Sequence, residues 1–225
     1  MLVVEDKPRS IEAEAYRTLT TNIQYSSIDK DIKSIVVTSA CPKEGKSTVS
    51  GNLALSFAAN GKNVIIIDCD LRKPSIHRKF NVSNLCGLSE VMIGKEILDN
   101  AIQKYKSNLH ILSSGKIPPN PAEMINSTSM SNLLEELKKQ YDIVIIDSPP
   151  LEAVTDGQIL STKVDGTILV LKSGESKIES VKEAKNLLNK VGANVIGIVI
   201  NKVSKKKKNY YYYYGTDDKG VVTEA

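Results

Sequence analysis

Four short runs of β-branched residues punctuate the chain: Ile35-Val36-Val37-Thr38, Val64-Ile65-Ile66-Ile67, Ile143-Val144-Ile145-Ile146, and Val195 to Ile200. Together with Thr167 to Leu171 and the weaker Leu109 to Leu112, they lack polar alternation, which predicts strands buried on both faces. Helical patterns lie between them. Ser47 to Asn60 stops at Gly61, Met130 to Gln140 sets Leu133, Leu134 and Leu137 on one face, and Ile178 to Val191 places Ile178, Val181, Leu188 and Val191 at helical spacing. Upstream, Ile11 to Tyr25 reads as a further helix with Ser10 as its N-cap. Strands alternating with helices imply a mostly parallel sheet covered on both sides. Gly115, Pro118, Pro119 and Pro121 make residues 113 to 129 a predicted loop.

Composition sharpens this picture. A chain of 225 residues, 41% hydrophobic and 25% charged, suits one large α/β domain with an appendage. No apolar run approaches the roughly 18 residues that span a bilayer, and the first residues lack the basic-then-apolar order of a signal peptide, so the expected location is cytoplasmic. Cys41, Cys69 and Cys86 form no C-x-x-C pair, which argues against a disulfide framework, a zinc site or an iron–sulfur cluster. The net charge of +4 is unevenly spread: residues 202 to 225 hold six lysines and three acids, leaving +1 for the rest. A basic tail is not a basic binding face, and no nucleic acid is expected as a partner. After Val203 come Lys205 to Lys208, Asn209 and five consecutive tyrosines. The boundaries are therefore a domain over 1–203, whose first 27 residues form an N-terminal helical segment, and a low-complexity tail over 204–225.

The strongest chemical signal follows the first strand, in Ala40-Cys41-Pro42-Lys43-Glu44-Gly45-Lys46-Ser47-Thr48. A phosphate-binding loop needs backbone N–H groups at a helix N-terminus, a lysine for the β- and γ-phosphates, and a hydroxyl for Mg²⁺. Gly45, Lys46 and Ser47 supply these, while Ala40 replaces the first glycine of the strict pattern. The second strand ends in Asp68-Cys69-Asp70-Leu71-Arg72-Lys73 and the third in Asp147-Ser148-Pro149-Pro150. Carboxylates at the carboxyl ends of parallel strands sit where an open α/β sheet binds its ligand. Asp147 fits the acid that supports Mg²⁺, and Asp68 and Asp70, two apart, could hold a metal or a transferred proton. The bland alternative for each is a helix cap or turn residue, the commonest fate of an aspartate just after a strand.

Tyr210, Tyr211, Tyr212, Tyr213 and Tyr214 have little use in a core, because consecutive side chains cannot share one face. They are candidate phosphate acceptors. Full phosphorylation adds roughly −7.5 to −10 of charge beside four lysines and reverses the sign of the tail. The competing use is an aromatic, basic tail that stacks on nucleic acid or touches a membrane.

These residues resemble the bacterial tyrosine kinases, in particular the free-standing cytoplasmic kinases of capsule and exopolysaccharide systems. Ala40 to Thr48 is similar to that family's Walker A, Ile65 to Arg72 to its Walker A′, and Ile145 to Pro150 to its Walker B. Further likeness runs through Glu14-Ala15-Tyr16-Arg17, Leu71 to Pro74, Gly87 to Val91, Pro118 to Pro121 and the terminal tyrosines. The resemblance implies a P-loop NTPase fold with helices on both faces of the sheet, and transfer of the γ-phosphoryl of Mg-ATP to tail tyrosines. It implies Lys43, Glu44, Gly45, Lys46, Ser47, Thr48 and Asn201 as nucleotide-binding, with Asn201 beside adenine. Lys46, Asp68, Asp70 and Asp147 would be catalytic, and Ser47, Asp70 and Asp147 would serve the metal. Asp68 is the candidate acceptor of the tyrosine proton and Asp70 of the metal or water role, two roles open to exchange.

The same resemblance implies a homo-oligomeric ring built through Glu14 and Arg17, where Thr20 departs from the arginine of the family's Glu-x-x-Arg-x-x-Arg. It implies a separate membrane adaptor of the polysaccharide chain-length-regulator type, which would recruit the kinase to the inner face of the membrane, and a cognate tyrosine phosphatase. The alternative is a MinD- or ParA-type ATPase that dimerises on nucleotide. Those ATPases carry a lysine where this chain has Cys41.

Overall fold

The computed structural model describes residues 2–26 and 31–204. Two helices open the chain, α1 (Val3–Asp6) and α2 (Ile11–Gln24), followed by β1 (Ser34–Ser39), α3 (Lys46–Ala59), β2 (Val64–Asp68), α4 (Ile76–Phe80), α5 (Leu88–Met92) and α6 (Leu98–Ala101). There follow β3 (Ile102–Lys106), β4 (Leu109–Leu112), α7 (Pro121–Asn126), α8 (Thr128–Gln140), β5 (Ile143–Asp147), α9 (Asp156–Ser161), β6 (Gly166–Lys172), α10 (Ile178–Lys190) and β7 (Val195–Asn201). The strands form one sheet in the order β3-β4-β2-β5-β1-β6-β7, and every neighbouring pair is parallel except β3 with β4. Among the described residues no helix is long and apolar enough to cross a membrane.

Successive side chains on a strand point to opposite faces, so a continuous apolar run feeds two cores. Val64 and Ile66 of β2, Ile35 and Val37 of β1, and Ile143 and Ile145 of β5 pack with Leu53 and Phe57 of α3. Their neighbours Ile65, Ile67, Val36, Val144 and Ile146 pack on the other face with Leu133, Leu134 and Leu137 of α8. Helix α3 is buried along nearly its whole length, with α2 packed on its outer side. Its small residues Ser50, Gly51, Ala54 and Ala58 suit a helix enclosed between a sheet and another helix. The N-cap expected at Ser10 is in place, its hydroxyl accepting from Ala13 N at 3.1 Å.

Two expectations need correction. Residues 113 to 129 are not all loop, because Pro121 occupies the first turn of α7, where its missing N–H costs nothing. Strand β7 is not buried on both faces: it closes the sheet as an edge strand, with Ile198 and Ile200 53% and 61% exposed. Its apolar run looks the same as those of the central strands, and only its place at the edge leaves one side uncovered. The sequence pattern also missed β3, whose polar alternation over Ile102-Gln103-Lys104-Tyr105-Lys106 marks the opposite, antiparallel edge.

Phe57 is the largest of the fully buried side chains. We expect Phe57→Ala to cost about 3–5 kcal/mol by leaving a cavity between α3 and the sheet, read as a lower urea midpoint with an unchanged slope.

Candidate active site

Strand order brings the chemistry together. Strand β5 lies between β1 and β2, so Asp147 at its end pairs in register with Asp68 of β2 on one side and Val37 of β1 on the other. The loop that leaves β1 therefore arrives beside both aspartates.

That loop closes on Gly45, whose φ of +101° lies in the left-handed region that glycine adopts without strain. A Cβ there would also fall 2.0 Å from Asn201 Nδ2. Asn201 donates to Glu44 O at 3.0 Å, and Lys202 Nζ reaches Lys43 O at 3.1 Å, so the end of β7 holds the loop from outside. Glu44 holds it from inside: its buried carboxylate accepts Cys41 N at 2.9 Å and the Ser176 hydroxyl. The Glu44 side chain is thus a brace within the loop.

Lys46 Nζ meets Asp70 Oδ2 at 2.9 Å, with both side chains largely out of solvent. Asp70 Oδ1 accepts from Lys73 N at 3.0 Å. Asp68 is fully buried. Its Oδ2 accepts from Ser75 N at 2.8 Å and Ile76 N at 2.9 Å, and its Oδ1 accepts from Asp70 N at 3.2 Å. It therefore holds the N-terminal turn of α4, the structural use that any aspartate after a strand invites. Asp147 Oδ1 accepts the Ser50 hydroxyl at 2.9 Å, whereas its buried Oδ2 makes no hydrogen bond of good geometry.

Three carboxylates thus crowd around one ammonium. Burial, followed by the charge of Asp147 and then that of Asp70, pushes the Asp68 carboxyl up to about 7 against the hydrogen bonds from Ile76 and Ser75. Burial also raises Asp147, although Lys46, Ser47 and Ser50 favour its charged form. Burial works against the Lys46 cation, but Asp147, Asp70 and Asp68 outweigh it and hold the lysine charged. An orphaned buried carboxylate oxygen beside a serine hydroxyl fits a hard divalent cation. Among the described residues no three His, Cys, Asp or Glu side chains converge as ligands.

The cluster opens into a cavity of about 390 Å³ lined by Lys43, Lys46, Ser47, Thr48, Asp70 and Pro149, among others. Asp70 lines it and Asp68 lies behind. Thr48 and Asn201 also line a larger groove of about 740 Å³ between α2 and β7. Two features escaped the sequence reading. Arg72 makes a forked pair with the fully buried Asp156 at 3.0 and 3.2 Å, joining the A′ loop to α9. Lys79 Nζ donates to Thr48 Oγ1 at 2.9 Å from a helix too short to have a readable period. On α2, Glu14 and Arg17 lie far from this cavity in sequence and pair with each other at 2.6 Å, while Thr20 is buried against Asn60. Tyr210 to Tyr214 lie outside the described residues.

The chain is similar to known proteins along most of its length. A family model described as ParA, NUBPL iron-transfer P-loop NTPase, matches residues 31–222. Tyrosine-protein kinase YwqD of Bacillus subtilis (strain 168) is 44% identical over 207 residues, 91% of this chain and 87% of that protein. The kinase domain of Escherichia coli tyrosine kinase ETK is similar with a TM-score of 0.88 and 33% identity, over 96% of this chain and 85% of that one. The MinD of Pyrococcus horikoshii OT3 complexed with Mg-ADP shares the fold, with a TM-score of 0.66 and 22% identity over 78% of this chain and 72% of that one.

Because the Asp68 carboxyl is raised in the folded state, folding favours its proton, and charging it opposes folding. The resulting loss of stability is absent near pH 4, grows as pH rises to about 7 and is level above that, with a slope of at most about 1.4 kcal/mol per pH unit. We expect the ligand-free protein to lose thermal stability from pH 5 to 7 relative to Asp68→Asn, whose curve lacks this component. Parallel curves for the two proteins would contradict the assignment.

Proposed function

The chain belongs to the ParA-type P-loop NTPases and, within them, to the bacterial tyrosine kinases, and from that membership we propose how this site labels tyrosine. The protein is an ATP-dependent protein-tyrosine kinase of the Walker-motif class, linked to the regulation of capsule and exopolysaccharide synthesis. The observation that carries the reading at the level of residues is that Lys46 and Asp70 pair at 2.9 Å in the wall of one cavity, with Ser47 and Thr48 beside them and the fully buried Asp147 at the end of the adjacent strand.

Phosphoryl transfer asks mainly for alignment and neutralisation of charge. In our reading the main-chain N–H groups of Lys43, Glu44 and Gly45 and the N-terminus of α3 cradle the phosphates of ATP. Lys46 exchanges its partner Asp70 for the β- and γ-phosphate oxygens, which frees a carboxylate in the wall of the cavity. Thr48 meets the α-phosphate, and Asn201, already bound to Glu44 O, faces the base. Ser47, Asp147 and Asp70 would hold Mg²⁺, which when bound neutralises charge on the β- and γ-oxygens. A tyrosine hydroxyl, with a free pKa of about 10, needs help to lose its proton. Asp70 lines the cavity and is the carboxylate that the hydroxyl meets. Asp68, pushed to about 7 behind it, is the member of the pair suited to take up the released proton near neutral pH, once it is itself ionised.

The acceptors in this reading are Tyr210 to Tyr214 of the tail, received from the same or a neighbouring copy. A homo-oligomer using the exposed α2 face around Glu14 and Arg17 supports transfer between copies. Because Thr20 turns into the core, this chain would build that face without the family's second arginine. A membrane adaptor of the chain-length-regulator type and a tyrosine phosphatase complete the proposed circuit, with recruitment to the inner face of the membrane through the adaptor. The dimerisation-switch alternative is not favoured, since Cys41 replaces the lysine it needs and the thiol is bound to Glu152 at 2.8 Å.

Incubation with Mg-ATP followed by mass spectrometry of the tail tests the reading: phosphotyrosine is expected within residues 210–214. Lys46→Ala should lower that labelling at least about 100-fold while the protein stays folded, and labelling at the wild-type rate would refute the site. The wild-type rate should climb with pH through about 7 as Asp68 loses its proton, and that inflection should vanish in Asp68→Asn.

A further inference from the structure

Helix α4 is a single turn with both ends fixed. Asp68 accepts from its first N–H groups, and Ile76 and Phe80 are buried in the core. Lys79 is thereby presented from a rigid support. It is half-buried, it lines the cavity that Lys46, Ser47 and Thr48 also line, and its Nζ donates to Thr48 Oγ1 at 2.9 Å. Among the described residues its ammonium has no ion-pair partner, and that neutral hydroxyl is the one hydrogen-bond partner of Nζ. An ammonium has three N–H donors, so two are left for something else. Burial disfavours its charge; Asp147 favours it, whereas Lys46 and Arg78 act against it. A second cation held beside Lys46 without a carboxylate of its own is an arrangement that an anion completes.

We propose that Lys79 is a further phosphate-binding residue of this kinase, gripping the α-phosphate end of the nucleotide together with Thr48. This rests on the nucleotide site proposed above. Thr48 borders both the phosphate cavity and the groove that reaches Asn201, so an ammonium on its hydroxyl stands where a nucleotide passes from its phosphates to its base. Lys79 therefore holds ADP as well as ATP and acts on binding rather than on transfer of the γ-phosphoryl.

Calorimetric titration of Mg-ADP and Mg-ATP into wild type, Lys79→Met and Lys79→Arg tests this. The methionine variant should weaken both nucleotides alike, about tenfold, equivalent to about 1.4 kcal/mol, with KM for ATP rising and kcat held within about twofold. The arginine variant should recover most of the loss. In a Thr48→Ala background Lys79→Met should still weaken ADP, because the contact is with phosphate. Three results overturn the proposal: unchanged ADP affinity in a Lys79→Met protein of normal thermal stability, a loss confined to ATP, or no further loss in the Thr48→Ala background. Failure of the kinase reading is separate, since it is a wild-type protein that binds Mg-ATP and forms no phosphotyrosine.

Discussion

Negative charge packed out of water at the ends of two adjacent parallel strands governs this structure. Asp68 and Asp147 sit side by side in register and Asp70 follows two residues later, with Lys46 as the ammonium among them. In a core of low polarity such a group costs more than it returns unless a ligand completes it. The cost is partly met by backbone N–H groups on Asp68 and by Ser50 on Asp147, but one oxygen of Asp147 is left bare. A site kept short of positive charge suits a cation carried in with a polyphosphate, which is the role proposed for it above.

The scaffold divides its support unevenly. On one side the loop around Gly45 is held by Glu44 from within and by Asn201 and Lys202 from the edge strand. On the other, the A′ loop is tied down by Asp68 to α4 and by Arg72 to Asp156. Asp68 thus serves two ends: its hydrogen bonds order the turn that carries Lys79, while its burial sets its affinity for a proton. A change at this residue disturbs the loop as well as the chemistry, so structural and chemical effects have to be told apart by pH dependence rather than by loss of activity alone.

The edge strand has a related double use. Its outer face is exposed through Ile198 and Ile200, yet its final residue, Asn201, touches the phosphate loop. The edge strand thus joins an uncovered face to the loop around Gly45.

Much of this was legible in the residues themselves. Apolar runs without alternation predicted strands covered on both faces, Ser10 and Gly61 bounded helices, and the Gly-Lys-Ser turn after β1 located the phosphate loop, because each depends on neighbours within a few positions. The tertiary structure alone decided that β5 inserts between β1 and β2, that β7 becomes an edge, that Thr20 turns inward, and that Asp68 caps α4 while Asp70 faces the cavity. Lys79 belongs to the same group: it lies 31 positions from Thr48 and on a helix of one turn, and so leaves no periodic trace. Local pattern specifies which element a segment forms and which face it buries; strand order and side-chain partnership are chosen by packing between segments distant in the chain, and the site is made of those partnerships.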